Sequence, residues 1–333
     1  MGSDYKPTFL AVGIIFPILA GIVVALRFKA RRLVKQPLQT DDWLALVALI
    51  FAYGFTAIVL TGSRMGNLGG HMEFDEMGIP QIGPWYKYFA ITNYAMIIVW
   101  NACVGITKLS IAFLYKRIFG TRGFNMISWA TIGLLVAWTI AFVLVGIFPC
   151  SPISDGWTTE VTTNCINAPA TYTAGVASNI GLDIIILVIP IHQVWKLHMP
   201  LRRKIGVAMI FALGSFVIIT GIIRLVLLIN AFGALENPMW RDITYEYSPP
   251  MLWTIVELNL GVMCACLPLM RPVWRASMQS PWATKLLSSF SSLRYSSKQS
   301  KGSSYQSFDK HDEMEMGIVN SGKTSPTASG RTR

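Results

Sequence analysis

The strongest constraint in this sequence is a succession of seven apolar runs, near residues 8–26, 43–61, 89–114, 126–148, 172–191, 205–230 and 249–270. A hydrocarbon core of about 30 Å takes about 20 helical residues to cross, and the runs match that length. In lipid, only a helix satisfies all its backbone hydrogen bonds within one segment. A single run of this kind could be a buried core helix. Seven of them, separated by short polar loops, predict an all-α fold: a seven-transmembrane helix bundle. Composition agrees, because 53% of the 333 residues are hydrophobic and only 14% are charged, where a soluble domain carries about 25% charged residues. That balance excludes disorder over most of the length, collagen, and a disulfide-dense miniprotein.

The net charge of +11 would point to nucleic acid in a soluble protein. Here the distribution decides. Arg27, Lys29, Arg31, Arg32 and Lys35 follow the first run, Lys116, Arg117 and Arg122 the third, and Lys196, Arg202, Arg203 and Lys204 the fifth. With the ten basic residues after Met270, 22 of 28 fall on one side, against Lys6, Arg64, Lys87 and Arg241 on the other. Cytoplasmic loops carry the Lys/Arg excess, which predicts the N-terminus outside and the C-terminus in the cytosol. The partner implied is the lipid bilayer, with no role for nucleic acid, and the plasma membrane is the expected location. Residues 1–7 read as a short extracellular N-terminus, 8–272 as the membrane domain, and 273–333 as a disordered, Ser-rich, basic cytoplasmic tail. No cleavable signal pattern precedes the first run, which is expected to insert as an uncleaved anchor. Lys6 stands where a myristoylation motif needs Ser or Thr, and no Asn-x-Ser/Thr sequon occurs. The tail holds 15 serines within 277–333; it reads either as a solvated tether or as a phosphorylation-regulated segment. Its proximal Arg271, Arg275, Lys285 and Arg294 suit anionic lipid.

Of five cysteines, Cys103, Cys264 and Cys266 lie inside runs, where a thiol behaves as a small apolar group. Cys150 and Cys165 bracket the outer loop between the fourth and fifth runs, on the oxidising side, and are predicted to form a disulfide. Closing that loop would contribute about 3 kcal/mol. It serves either as a plain staple or as the means of holding a lid. The long loop after the second run carries His71, Glu73, Asp75 and Glu76 without the spacing of a zinc site, so no metal is expected. Its Gly66, Gly69 and Gly70 read as turn formers.

Four ionisable residues sit inside runs: Lys108, Asp183, Arg224 and Glu257. Such groups cost several kcal/mol unless paired or hydrated, and mark functional candidates. At a rise of 1.5 Å per residue, Lys108 and Asp183 lie about 10 and 12 Å from the inner ends of their runs. Arg224 and Glu257 lie about 9 and 12 Å from the outer ends of theirs. Opposite signs at matching depths predict two ion pairs, Lys108–Asp183 in the inner half and Arg224–Glu257 in the outer half. They serve either as glue between helices or as a ligand or switch site, with Asn93, Asn101, Asn179 and Asn259 as further polar groups. No histidine inside a run accompanies the carboxylates, which argues against a proton relay. Enzyme signatures are missing: there is no His-Glu-x-x-His, no phosphate-cradling Gly-Lys-Ser/Thr loop and no Gly-x-Ser-x-Gly elbow. No internal repeat of the transporter kind is visible, and Pro17 and Pro190 are candidate kinks.

These residues also carry a family resemblance. Thr40-Asp41-Asp42-Trp43-Leu44 opens the second run, followed by Gly66 and Gly69-Gly70-His71. Lys108-Leu109-Ser110-Ile111, then Tyr115 and Arg117-Ile118-Phe119, close the third. Cys150-Ser151-Pro152, Trp157 and Cys165 mark the outer loop, and Asn179, Asp183, Pro190 and Trp195 the fifth run. Phe211-Ala212-Leu213-Gly214, Arg224, Glu257-Leu258-Asn259 and Cys264-Ala265-Cys266-Leu267-Pro268 complete the pattern. Together, from about Arg27 to Pro272, they resemble the fungal rhodopsin-like domain family, seven-span proteins of filamentous fungi related to appressorium-type GPCR-like receptors.

The resemblance implies an integral membrane protein of receptor-like design, with some members accompanying secondary-metabolite clusters. A retinal Schiff base would need a lysine in the last run; 249–270 has none, so no cofactor is expected. The Asp-Arg-Tyr and Asn-Pro-x-x-Tyr motifs of animal receptors are also missing, which leaves G-protein coupling an analogy of architecture. The expectation is a receptor for an extracellular or lipophilic small molecule. Its ligand would sit beneath the Cys150–Cys165 loop, near Arg224 and Glu257, and a cytoplasmic signalling protein would be its partner. The alternative is a transporter or accessory membrane protein of secondary metabolism.

Overall fold

A computed structural model describes residues 4–75, 81, 83–118, 122–157, 165–196, 201–235 and 242–269. The helices are α1 (Lys6–Leu33), α2 (Thr40–Met65), α3 (Trp85–Ile118), α4 (Arg122–Ile147), α5 (Ala168–Lys196), α6 (Leu201–Leu235), a single turn α7 (Ile243–Glu246) and α8 (Ser248–Cys266). Seven segments among the described residues, the last running Thr244–Leu269, are long and apolar enough to cross a membrane. The 273–333 tail lies outside the described residues.

Most helices run past their apolar runs by about a turn at one or both ends, because hydrophobicity marks the hydrocarbon crossing and not the helix end. The difference is largest in α1, which continues through Arg27 and Arg31 to Leu33. It then stops by backbone geometry. Lys35 adopts the left-handed conformation (φ 51°), and the Lys35 and Gln36 N–H groups donate to the carbonyls of Arg32 and Arg31. That is the Schellman pattern, which satisfies the last helical carbonyls. α2 ends at Gly66, where a Cβ would sit 2.9 Å from the backbone of Phe89. Pro17 and Pro190 both lie within continuous helices.

α3 is the central helix and packs against α2, α4, α5 and α8; α1 closes the ring between α2 and α8, and α6 packs between α5 and α8. The core runs along these contacts through Phe55, Trp100, Val104, Trp138, Ile180 and Ile255. On the outside, Ile14, Ile15, Ile18 and Ile22 of α1 and Ile140 and Leu144 of α4 are exposed. Rows of that kind belong against acyl chains. One end of the bundle carries the Cys150–Cys165 loop and is called the disulfide end; the other, where α1 passes into α2, is the basic end.

At the disulfide end three segments are sewn together. Tyr5 N–H donates to the Gly69 carbonyl, Gly69 N–H to the Thr244 carbonyl, and Thr244 Oγ1 to the Gly70 carbonyl. Gly69 has φ 89°, the left-handed region that favours glycine. His71 Nδ1 lies 2.7 Å from Asp242 Oδ2 and its ring stacks on Tyr245.

Candidate functional site

The interior-facing residues follow from helical spacing. On α3 the i, i+4, i+8 row is Trp100, Val104 and Lys108; on α5 the row is Asn179, Asp183 and Leu187; on α8 it runs through Thr254, Glu257, Leu258 and Gly261. All of them line one of two internal cavities. A charged residue on such a face is costly to bury unless a partner inside the bundle meets it.

The structure brings four of the predicted charges and one asparagine into a single chain. Lys108 Nζ is 2.6 Å from Asp183 Oδ1 and donates to the Asn179 backbone carbonyl at 2.8 Å. Asn179 Nδ2 donates to Glu257 Oε1 at 3.0 Å. Arg224 Nε lies 2.8 Å from Glu257 Oε2, and the Arg224 guanidinium rests 4.3 Å from the centre of the Trp100 ring. The chain Asp183–Lys108–Asn179–Glu257–Arg224–Trp100 thus joins α3, α5, α6 and α8. Two cations and two carboxylates balance, which is what makes burial at this depth tolerable. Asn259 does not join it. Its Nδ2 donates to the Ile255 carbonyl one turn back on its own helix.

The chain lies between the two cavities. The cavity toward the basic end is lined by Lys108, Tyr115, Asn179, Asp183 and Glu257 among apolar residues. The cavity toward the disulfide end is lined by Asn93, Trp100, Asn101, Arg224, Tyr172 and Tyr247 among others. Over the disulfide end, Cys150 and Cys165 are bonded, and Ile166 N–H donates to the Pro149 carbonyl beside them. Trp157 in that loop packs edge-on against Tyr94 of α3, whose hydroxyl donates to the Ile147 carbonyl at the end of α4. The loop is therefore anchored on α3 and α4, next to the cavity wall.

A second buried cluster corrects the sequence reading, which assigns Arg27 and Arg31 to the loop after the first run; both lie within α1. Arg27 is 0% and Arg31 3% exposed. Arg27 Nη2 meets Asp41 at 2.7 Å and its Nε meets Asp42 at 2.8 Å; Arg31 pairs with the same two carboxylates at 2.8 and 2.9 Å. Arg27 Nη1 reaches across to the Ala265 carbonyl at 2.7 Å, where α8 ends and its last carbonyls lack helical partners. Ser110 Oγ of α3 donates to the Asp41 carbonyl, and Asp42 also accepts from the Gln39 N–H, capping α2. Arginine suits this place because its fixed fork serves two carboxylates and a carbonyl at once. The signal was in the sequence: basic residues four apart at a helix end, followed after a short turn by two adjacent aspartates.

These features define a multi-pass α-helical membrane protein with two buried charge clusters, the second of which is also approached by Arg117 of α3, 3.7 Å from Asp41. The chain belongs to the fungal rhodopsin domain family, whose model matches residues 26–276. It is 30% identical over 272 residues to a polyenoic acids biosynthesis gene cluster protein, Ba17b, of Metarhizium anisopliae, covering 80% of this chain and 72% of that one. It is 29% identical to an SAT4 family membrane protein of Emericella nidulans, over 66% of this chain and 53% of that one. It is 25% identical to the receptor GIN3 of Arthrobotrys oligospora, over 89% of this chain and 68% of that one. No solved structure matches.

Proposed function

We propose that this protein is a plasma-membrane receptor for an extracellular or lipophilic small molecule. In this reading its N-terminus is outside, its disulfide end faces the exterior and its basic end the cytosol. It is neither an enzyme nor a retinal protein; its one lysine within a span near the core, Lys108, is engaged by Asp183 and Asn179. The observation that carries the reading is the unbroken polar chain from Trp100 and Arg224, at the disulfide-end cavity, to Lys108 and Asp183, at the basic-end cavity. A ligand that draws on Arg224 weakens its hold on Glu257, and Glu257 in turn holds Asn179. An effect needs two arrangements of such an element with different ligand affinity. The relative named as a receptor supports the same reading.

A second reading, transporter or accessory protein of secondary metabolism, is favoured by a cavity on each side of the charged layer and by relatives named for biosynthetic clusters. Reconstitution separates the two. Protein in liposomes is offered apolar extracts of fungal cultures, with flux across the bilayer and nucleotide exchange on a heterotrimeric G protein measured in parallel. The receptor reading expects ligand-dependent exchange without flux; flux without exchange would overturn it.

A further inference from the structure

The residues lining the disulfide-end cavity carry five buried polar atoms without a hydrogen-bond partner among the described residues: Asn93 Oδ1, Trp100 Nε1, Asn101 Oδ1, and Arg224 Nη2 and Nε, the last in ion-pair contact with Glu257. Trp100 is 7%, Asn101 3% and Arg224 5% exposed. Buried groups of this kind are almost always paired, and here three are donors and two are acceptors. They are also ordered along the bundle. Trp100 and Arg224 are in contact at the floor, Asn101 follows Trp100, and Asn93 lies about 12 Å further along α3 toward the mouth. The rest of the wall is apolar, with Phe55, Met96, Ile97, Phe142 and Leu228 among it.

Charge decides what fits. Arg224 already faces Glu257, and the chain behind it is neutral overall. A carboxylate placed on Arg224 would leave one buried negative charge uncompensated, at a cost of several kcal/mol. A neutral acceptor avoids this. We infer that this cavity is the ligand site and that it takes a neutral, largely apolar molecule. The molecule's inner end carries a carbonyl-type acceptor for Arg224 Nη2 and Trp100 Nε1, beside a hydroxyl or amide N–H donor for Asn101 Oδ1. A second donor toward the outer end meets Asn93 Oδ1. This deepens the receptor reading and rests on the same cavity.

The test uses the full chain in nanodiscs and three probes of one chain length: decanamide, decanoate and decane. Decanamide raises the melting temperature saturably, while decanoate and decane bind at least about tenfold more weakly, as loss of the paired head group requires. Trp100→Phe and Asn101→Leu each weaken decanamide about tenfold. Each variant is compared with its own probe-free melting temperature, since Asn101→Leu also removes the Nδ2 bond to the Ile97 carbonyl and Trp100→Phe alters the ring under Arg224. Ser128→Ala, which removes an unpaired buried hydroxyl of α4 outside the cavity wall, binds as the wild type does. Decanoate binding more tightly than decanamide overturns the inference, as does equal binding of all three probes, or no saturable binding. These rankings come from the unmutated chain and stand even if a variant fails to fold. Decanamide binding accompanied by its transport would overturn the receptor reading alone. A signalling response with decanoate ranked above decanamide would overturn this inference alone.

Discussion

Asn179 on α5 and Glu257 on α8 share a hydrogen bond of 3.0 Å deep in the bundle, amide nitrogen to carboxylate oxygen. It is the one side-chain bond joining the Lys108–Asp183 pair to the Arg224–Glu257 pair among the described residues, because the Asn179 carbonyl already accepts from Lys108. Replacing Asn179 by Leu keeps that carbonyl and removes the bond. The substitution is expected to cost about 1–3 kcal/mol, the penalty for leaving a buried charged acceptor one partner short. Thermal unfolding in detergent measures it.

Lys108 and Asp183 make a sharper case. Lys108→Met or Asp183→Asn alone is expected to destabilise by about 3–5 kcal/mol, since each strands a buried partner. The double neutral variant recovers more than half of the larger loss. A charge swap, Lys108→Asp with Asp183→Lys, recovers less, because it turns a carboxylate toward the Asn179 carbonyl that now accepts from the ammonium. A double-mutant cycle on melting curves gives the ordering.

At the basic end, Arg27→Lys is not a mild change. Lysine offers one point charge where the guanidinium meets Asp41, Asp42 and the Ala265 carbonyl together. The expected loss is about 2–3 kcal/mol, with faster amide exchange where α8 ends. Lys29→Arg, on the same helix and outside the cluster, is the control.

The Cys150–Cys165 bond closes a loop of sequence separation 15. Cys150→Ser with Cys165→Ser is expected to cost about 2–4 kcal/mol. Reductant lowers the wild-type melting temperature toward that of the variant and leaves the variant unmoved.

The seven spans were legible because a bilayer fixes both the length and the apolarity of what crosses it. Lys108, Asp183, Arg224 and Glu257 were legible for the same reason, since a charge inside an apolar run stands out and the helical rise gives its depth. Arg27, Arg31, Asp41 and Asp42 were not. They lie at the ends of runs, where polar residues are ordinary, and the two arginines were absorbed into the charge asymmetry of the loops. Asn259 stands apart from the chain, its Nδ2 donating to the Ile255 carbonyl of its own helix, which residue type alone does not reveal. Residue type does not mark Trp100, which counts as apolar, although it carries a buried indole N–H and lines a cavity beside Arg224.

In the proposed receptor, the chain through Asn179 carries the effect of a ligand from one half of the bundle to the other. Binding and G-protein nucleotide exchange, measured on the same nanodisc samples of wild type and Asn179→Leu with one active culture extract, test it directly. The variant is expected to bind within about threefold of wild type and to lose the exchange response. A wild-type response from the variant would contradict it.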